Sequence, residues 1–372
     1  MRTAVISDTH IGAHSGRDLL RSPEIQSRLG DVVGGCDRLV LLGDTIELRD
    51  GPIEDAIADA SPFLEWIAEA FAGKEVVLVP GNHDHRLLGP WIDRRREQGD
   101  VALDELVSPP HPQVERIAEA LGDARLEVRY PGVWIRDDVY ATHGHYADSH
   151  VTLPTVERLS VAMVDRLGGE ESGKRLGPHD YETVHAPVYD LIFNLAQGVR
   201  ASSHDTEGRA TSMRIWELMG GASGQARTVR GKLLSSAVVP ATLRVLESVG
   251  LGRFGRDFSL AEIGRSGVDA MHTVADRLEI GADHVIFGHI HRRGPLPGED
   301  GRSATDPEWE RRGRRLYNTG CWLWVDPMLR RTDSRNPFWP GRVLLVGDEG
   351  EPEAIEVLEG MSAEEIARVV GG

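Results

Sequence analysis

Asp8-Thr9-His10, Gly43-Asp44, Gly81-Asn82-His83-Asp84, His143-Gly144-His145 and Gly288-His289-Ile290-His291 gather the side chains of this chain best suited to chemistry. Carboxylate oxygen, amide carbonyl and imidazole nitrogen form a hard-to-borderline donor set that suits Mn, Fe or Zn, and in some sites Mg. No cysteine stands among them, which speaks against a structural zinc. Each cluster alone has an ordinary explanation. Asp8-Thr9-His10 reads as a capped strand end, Gly43-Asp44 as a turn dipeptide, and Gly81-Asn82 as a pair that tolerates left-handed backbone. His143, His289 and His291 could be satisfied core histidines. Five separate coincidences explain the pattern less well than one shared site.

The clusters share a position: each closes an apolar run. Residues 2–7, Arg38-Leu39-Val40-Leu41-Leu42, Glu75-Val76-Val77-Leu78-Val79, Val139-Tyr140-Ala141-Thr142 and His284-Val285-Ile286-Phe287 all read as short buried strands. Between the second and third, Phe63, Leu64, Trp66, Ile67 and Phe71 are spaced for an amphipathic helix. This rhythm predicts βαβ units and a largely buried sheet, with ligands at the C-terminal edge of its strands. Residues 126–130 and 133–135 flank Pro131-Gly132 and predict a hairpin with a tight turn. Residues 315–320 predict a further strand, and 342–346 with 354–358 a closing hairpin. Ser362 and Glu365 offer a capping box for a terminal helix.

The 145 residues between His143 and His289 have another texture, rich in Ala, Leu, Arg and Glu. Helical spacing recurs over 155–166, 185–197, 212–219, 233–249 and 268–278. A helical insertion or cap over 146–280 is expected, on a core formed by 1–145 and 281–372. Its amphipathic stretches, notably 233–251, could line an apolar pocket or lie against a membrane, or pack on one another. The bulk numbers narrow the field. A net charge of -17 argues against a broad nucleic-acid footprint, which needs a basic face. Two distant cysteines exclude a disulfide framework. No signal-peptide core or apolar run of membrane-spanning length is present, so a cytoplasmic setting is expected, with peripheral membrane contact left open.

Taken in order, D-x-H, G-D, G-N-H-D, H and G-H-x-H resemble the pattern of the calcineurin-like metallophosphoesterase superfamily. The resemblance spans residues 1 to about 145 and again about 281 to 320. It implies an α/β fold, a two-sheet αββα sandwich carrying the large helical insertion. It implies two divalent cations: one held by Asp8, His10 and His291, the other by Asn82, His143 and His289, with Asp44 bridging. Mn leads, with Fe, Zn or Mg as the other cations suited to these donors. The implied reaction is hydrolysis of a phosphodiester, pyrophosphate or phosphomonoester by attack of metal-bound hydroxide. His83 would protonate the leaving oxygen, with Asp84 orienting it; a purely structural turn residue is the alternative.

His145 and Arg292 are candidate substrate contacts, although His145 could equally be structural and Arg292, with Arg293, a solvated pair. His85 and Arg86 carry the same ambiguity, and Asn318-Thr319-Gly320 reads as architectural. Gly43-Asp44-Thr45-Ile46-Glu47-Leu48 resembles the G-D-x-x-E/D segment of the branch containing UDP-2,3-diacylglucosamine pyrophosphatases, but His83 stands where that branch often has Arg. A phosphorylated small-molecule or lipid-linked substrate is expected. A nuclease or nucleotide phosphatase of the same core is the alternative. A non-catalytic scaffold is the remaining one, and no missing ligand supports it.

Overall fold

The structure, a computed structural model, describes residues 1–13, 18–99, 101–150, 176–198, 260–296, 307–325, 329 and 332–371. The helices expected over 155–166, 212–219 and 233–249 lie outside them. Strands and helices alternate first: β1 (Thr3–Ile6), α1 (Pro23–Val33), β2 (Arg38–Leu42), α2 (Ile53–Ala70), β3 (Glu75–Val79) and α3 (Pro90–Gln98). There follow β4 (Asp104–Leu106), α4 (Gln113–Ala120), β5 (Arg125–Arg136), β6 (Val139–Thr142), α5 (Pro178–Gly198) and α6 (Leu260–Arg277). The chain closes with β7 (His284–Phe287), β8 (Glu310–Arg311), β9 (Arg314–Asn318), β10 (Arg342–Val346), β11 (Glu353–Glu356) and α7 (Ala363–Gly371). Among the described residues no helix is long and apolar enough to cross a membrane.

The strands follow one hydrogen-bonded path, β11-β10-β1-β2-β3-β5-β6-β7-β9-β8, with β4 added on β5. Alternation of side chains along it makes two facing sheets. Val5, Val40, Leu42, Val77 and Val79 from β1–β3 meet Val139, Ala141, Ile286 and Tyr317 from β6, β7 and β9 in one buried cluster. Their neighbours Ala4, Ile6, Leu39, Leu41, Val76 and Leu78 point the other way, into a core shared with α1, α2 and α4. On the second sheet Tyr140, Val285, Phe287 and Leu316 pack outward with Val268, Met271 and Val274 of α6. Helix, sheet, sheet, helix is the αββα order expected. Fully burying each such Val, Leu or Ile contributes about 1.5–3 kcal/mol, so the alternation decides which face goes where.

One expectation fails at Pro131-Gly132. No hairpin forms there; β5 runs unbroken from Arg125 to Arg136. Its first residues pair in parallel with β3, its middle with β4, and Gly132 onward with β6 in antiparallel. Gly132 is needed for close approach, because an added Cβ would collide with Tyr140 Oη and the Ala141 carbonyl. A turn pair here marks the point where a strand leaves one sheet for the next. Helix α2 begins ten residues before the periodic stretch 63–71, because Ile53, Ala56, Ile57 and Ala60 extend the same buried face. The capping box forms at α7: Ser362 N donates to Glu365 Oε2 at 2.7 Å and Glu365 N to Ser362 Oγ at 3.2 Å.

Candidate metal centre

The ends of β1, β2, β3, β6 and β7 deliver their polar clusters to one place. Asp8 N donates to the Gly43 carbonyl at 3.0 Å and His10 N to the Asp44 carbonyl at 2.9 Å. Gly288 N reaches the His143 carbonyl at 2.9 Å, and His289 N reaches Asp8 Oδ2 at 3.0 Å. The backbone bends sharply to do this. Asp8, His10, Asp44, His289 and His291 all have positive φ, between 44° and 68°. Left-handed backbone costs a non-glycine residue of order 1–3 kcal/mol, and such strain persists where the surroundings impose it, often at functional sites. Gly43, with φ +83°, avoids that cost, and a Cβ there would overlap the His143 ring.

Two groups of donors result, sharing Asp44 between them. In the first, His291 Nε2 lies 3.2 Å from Asp8 Oδ1 and 3.2 Å from His10 Nε2, which is 3.8 Å from Asp44 Oδ2. In the second, His143 Nε2 lies 3.2 Å from Asp44 Oδ2 and 3.1 Å from Asn82 Oδ1, itself 3.1 Å from His289 Nδ1. Ligand atoms of Asp8, His10 and His291, and those of Asp44, His143 and His289, lie within 4.8 Å of one another. A third such group joins His10 and Asp44 to His83.

The far side of three of the four rings shows why a cation fits. His10 Nδ1 lies 3.0 Å from Glu47 Oε2 and His143 Nδ1 lies 2.9 Å from the Leu42 carbonyl. His289 Nε2 lies 2.9 Å from Asp148 Oδ1. These acceptors assign a proton to the outward nitrogen of each neutral ring, which leaves a lone pair facing inward. Lone pairs of imidazole, amide and carboxylate then converge with no proton among them. The opposite rotamer of the Asn82 amide would donate to His143, His289 and Asp44 at 3.1–3.3 Å. The oxygen-inward rotamer is the one that a cation selects.

A family model described as calcineurin-like phosphoesterase matches residues 1–208. The chain belongs to that family. No curated protein was found to match it. Asp8, His10, Asp44, Asn82, His83 and His143 fall inside the matched stretch of this calcineurin-like phosphoesterase; His289 and His291 fall beyond it. They reach the site because β7 pairs in parallel with β6, which ends at Thr142.

Metal-free, the centre of this calcineurin-like phosphoesterase holds protons instead. Burial disfavours the charged imidazole of His143, yet Asp44 at 3.2 Å, with Asp8 behind it, raises its pKa to about 10. Burial opposes His10 likewise, and Glu47 and Asp44 raise it to about 9. Both must lose a proton to bind a cation, so affinity should rise with pH up to about these values. Calorimetric titration with Mn in buffers of different ionisation enthalpy should count protons released on binding. Affinity that is flat with pH, with no proton release, would contradict this assignment.

Other candidates sit differently from their sequence reading. Asp84 makes no hydrogen bond to the His83 ring. Its buried carboxylate accepts from the backbone amides of Gly81 at 2.6 Å, Thr45 at 2.8 Å, Asp44 at 3.2 Å and Ile46 at 3.4 Å, tying two site loops together. Burial and the nearby Asp44 raise it to about 6. Glu47 takes the orienting role: its Oε2 lies 2.7 Å from His83 Nδ1 as well as beside His10. Arg292 is buried against Glu308 at 2.6 Å with its guanidinium over Trp309, so no cationic end is offered to a phosphate. Arg293 pairs with Glu356, and Asn318 braces the Gly288 carbonyl at 2.7 Å. His145 is buried beside His143 and meets Tyr130 Oη at 3.0 Å.

Sequence reasoning gave no role to Glu47, Arg49 or Asp148. Glu47 had a signal in the G-D-x-x-E segment. Arg49, two residues on, donates to the Asn82 carbonyl at 2.6 Å and stacks on Tyr189. Nothing local marks Asp148.

Helix α5 walls one flank of the centre. Its Glu182, fully buried, accepts from Tyr130 Oη, from Tyr146 Oη at 2.6 Å and lies 3.0 Å from His85 Nε2. Burial works against this charge, but His85 and the two phenols outweigh it and hold the pKa of Glu182 below the usual carboxylate range. Asp190 meets Arg86 at 3.3 Å, and Gln197 bonds Ile53 N and the Gly51 carbonyl. Glu182→Ala removes the charged acceptor that three buried donors share, and a loss of about 2–4 kcal/mol is expected. Thermal melting of the metal-free protein measures it; an unchanged midpoint would show that the network carries little.

Proposed function

We propose that this chain is a phosphoesterase working with two divalent cations, one among Asp8, His10 and His291, the other among Asn82, His143 and His289. Asp44 is shared between them. The observation that carries this reading is the convergence of carboxylate, amide and imidazole donor atoms around Asp44, three of the four imidazoles fixed from behind by an acceptor. Mn is the favoured cation because the donors mix carboxylate, amide and imidazole without thiolate. Bound there, the cations supply Lewis acidity that polarises a phosphoryl oxygen and acidifies water.

The protein's own residues do the rest. His83 holds one proton at Nδ1 against Glu47, while its Nε2 points toward the centre, 3.9 Å from Asp44 Oδ2. In its imidazolium form it carries a second proton at Nε2 and gives it to the ester oxygen as water adds to phosphorus and the P–O bond breaks. The alcohol then leaves neutral and His83 returns to its Nδ1–H form. A small pocket beside His83, with about 10 Å³ of water-accessible space, is lined by Arg49, His85, Arg86, Tyr189 and Phe193 among others. The G-D-x-x-E segment ending at Glu47 supports a small or lipid-linked phosphodiester or pyrophosphate, which this pocket as it stands is too small to enclose. The contacts of α5 support 146–280 acting as a cap on the core of 1–145 and 281–372. A cytoplasmic setting belongs to the same proposal.

Hydrolysis of bis-p-nitrophenyl phosphate beside p-nitrophenyl phosphate, with Mn and with chelator, tests it. Turnover of the diester that chelation abolishes is expected. Mn-loaded protein inert toward both compounds, and equally inert toward pyrophosphate-linked substrates, would remove the hydrolase reading.

A further inference from the structure

The ligand histidines differ in which nitrogen they present. His10 and His143 turn Nε2 inward and are held through Nδ1; His289 is reversed, with Nδ1 3.1 Å from Asn82 Oδ1 and Nε2 2.9 Å from Asp148 Oδ1. A neutral imidazole carries one proton, so the reversed ring serves as a ligand only while Nε2 keeps it and the ring stays turned this way. Asp148 is the group that meets that nitrogen, and its side chain is 3 % exposed. A buried carboxylate accepting from Nε2–H also makes the opposite nitrogen a stronger donor toward a cation.

Asp148 is itself held from both sides. It lies in the single 3-10 turn His145–Ser149 that follows His143. Tyr146 in that turn donates to Glu182, and Ser149 Oγ lies 2.9 Å from His185 Nε2, both on α5. Tyr146 and Ala147 pack with Val268 and Met271 of α6. The turn is therefore clamped by helices from the long segment between His143 and His289.

We infer that Asp148 is a positioning residue for His289, fixing its ring and proton so that Nδ1 serves the cation shared with Asn82 and His143. The inference rests on the two-cation reading above. It predicts an asymmetric defect. Asp148→Asn and Asp148→Ala should bind one equivalent of Mn as the unaltered protein does and the second about 10–100-fold more weakly.

Calorimetric titration with Mn measures both equivalents. A readout independent of cations comes from metal-free protein labelled with 15N-histidine. There the His289 Nε2–H, assigned through His289→Gln, should give a downfield proton signal that both Asp148 variants lose. Melting of the metal-free variants reports their fold, and the isosteric Asp148→Asn carries the comparison should Asp148→Ala fail to fold. Two equivalents bound at full affinity by both folded variants, or an unchanged Nε2–H signal, would overturn the role of Asp148 while leaving the two-cation reading intact. Equal weakening of both equivalents would overturn a role confined to His289. An unaltered protein that binds only one equivalent would overturn both readings.

Discussion

His83→Ala is expected to lower kcat by about 10²–10⁴-fold, the range for losing a positioned general acid, while leaving cation stoichiometry unchanged. His83 is within reach of a substrate: its side chain is 19 % exposed, against 4 % for His10 and 0 % for His143. It belongs to the cluster without completing either of the two proposed ligand sets. Burial lowers its pKa, the Glu47 carboxylate opposes that, and the charge of Arg49 adds to the lowering. The loss should depend on the leaving group. A nitrophenolate departs with little help, whereas phenol or an aliphatic alcohol needs its oxygen protonated, so the variant should lose more on phenyl than on p-nitrophenyl esters. Measured kcat on the two series decides it, and equal losses on both would leave His83 a binding role only.

Glu47→Gln should damage two functions through one oxygen. Glu47 Oε2 lies 3.0 Å from His10 Nδ1 and 2.7 Å from His83 Nδ1, and His10 and His83 hold its pKa far below the usual carboxylate range although burial opposes the charge. Glutamine keeps the shape and removes the charge. Affinity for the cation at Asp8, His10 and His291 should fall about 10–100-fold, as for other residues that support a ligand from behind. At saturating Mn a further loss in kcat should remain, because His83 has lost its anchor. That remainder should be absent from the double variant with His83→Ala, which should turn over no more slowly than His83→Ala alone. Additive losses in the double variant would mean that Glu47 acts independently of His83.

Much of this could be read in one dimension because the relevant physics is local. Short runs such as 39–42 and 76–79 are apolar at every position, as strands buried on both faces must be. Glycine, aspartate and asparagine end them because the chain must turn there, and those turns carry the donors. The order and spacing of Asp8, His10, Asp44, Asn82, His143, His289 and His291 therefore nominate a site before any contact is known. Periodicity likewise marked the buried faces of α2 and α6.

Which partner each of those side chains meets was a tertiary decision. Asp84 is adjacent to His83 in sequence, yet it turns to four backbone amides, and the carboxylate that reaches the His83 ring belongs to Glu47. Arg292 follows His291 directly but is drawn to Glu308. Asp148 meets His289 across 140 intervening residues because a clamped turn and the end of β7 arrive at the same sheet edge. Pro131-Gly132 spells a turn, but the neighbouring Tyr140 and the two sheets it lies between keep that strand unbroken. Sequence by itself determined the donor types, their order and the strands that end in them. The structure alone decided their partners, since a hydrogen bond depends on a rotamer and on a packed neighbour that local pattern does not specify.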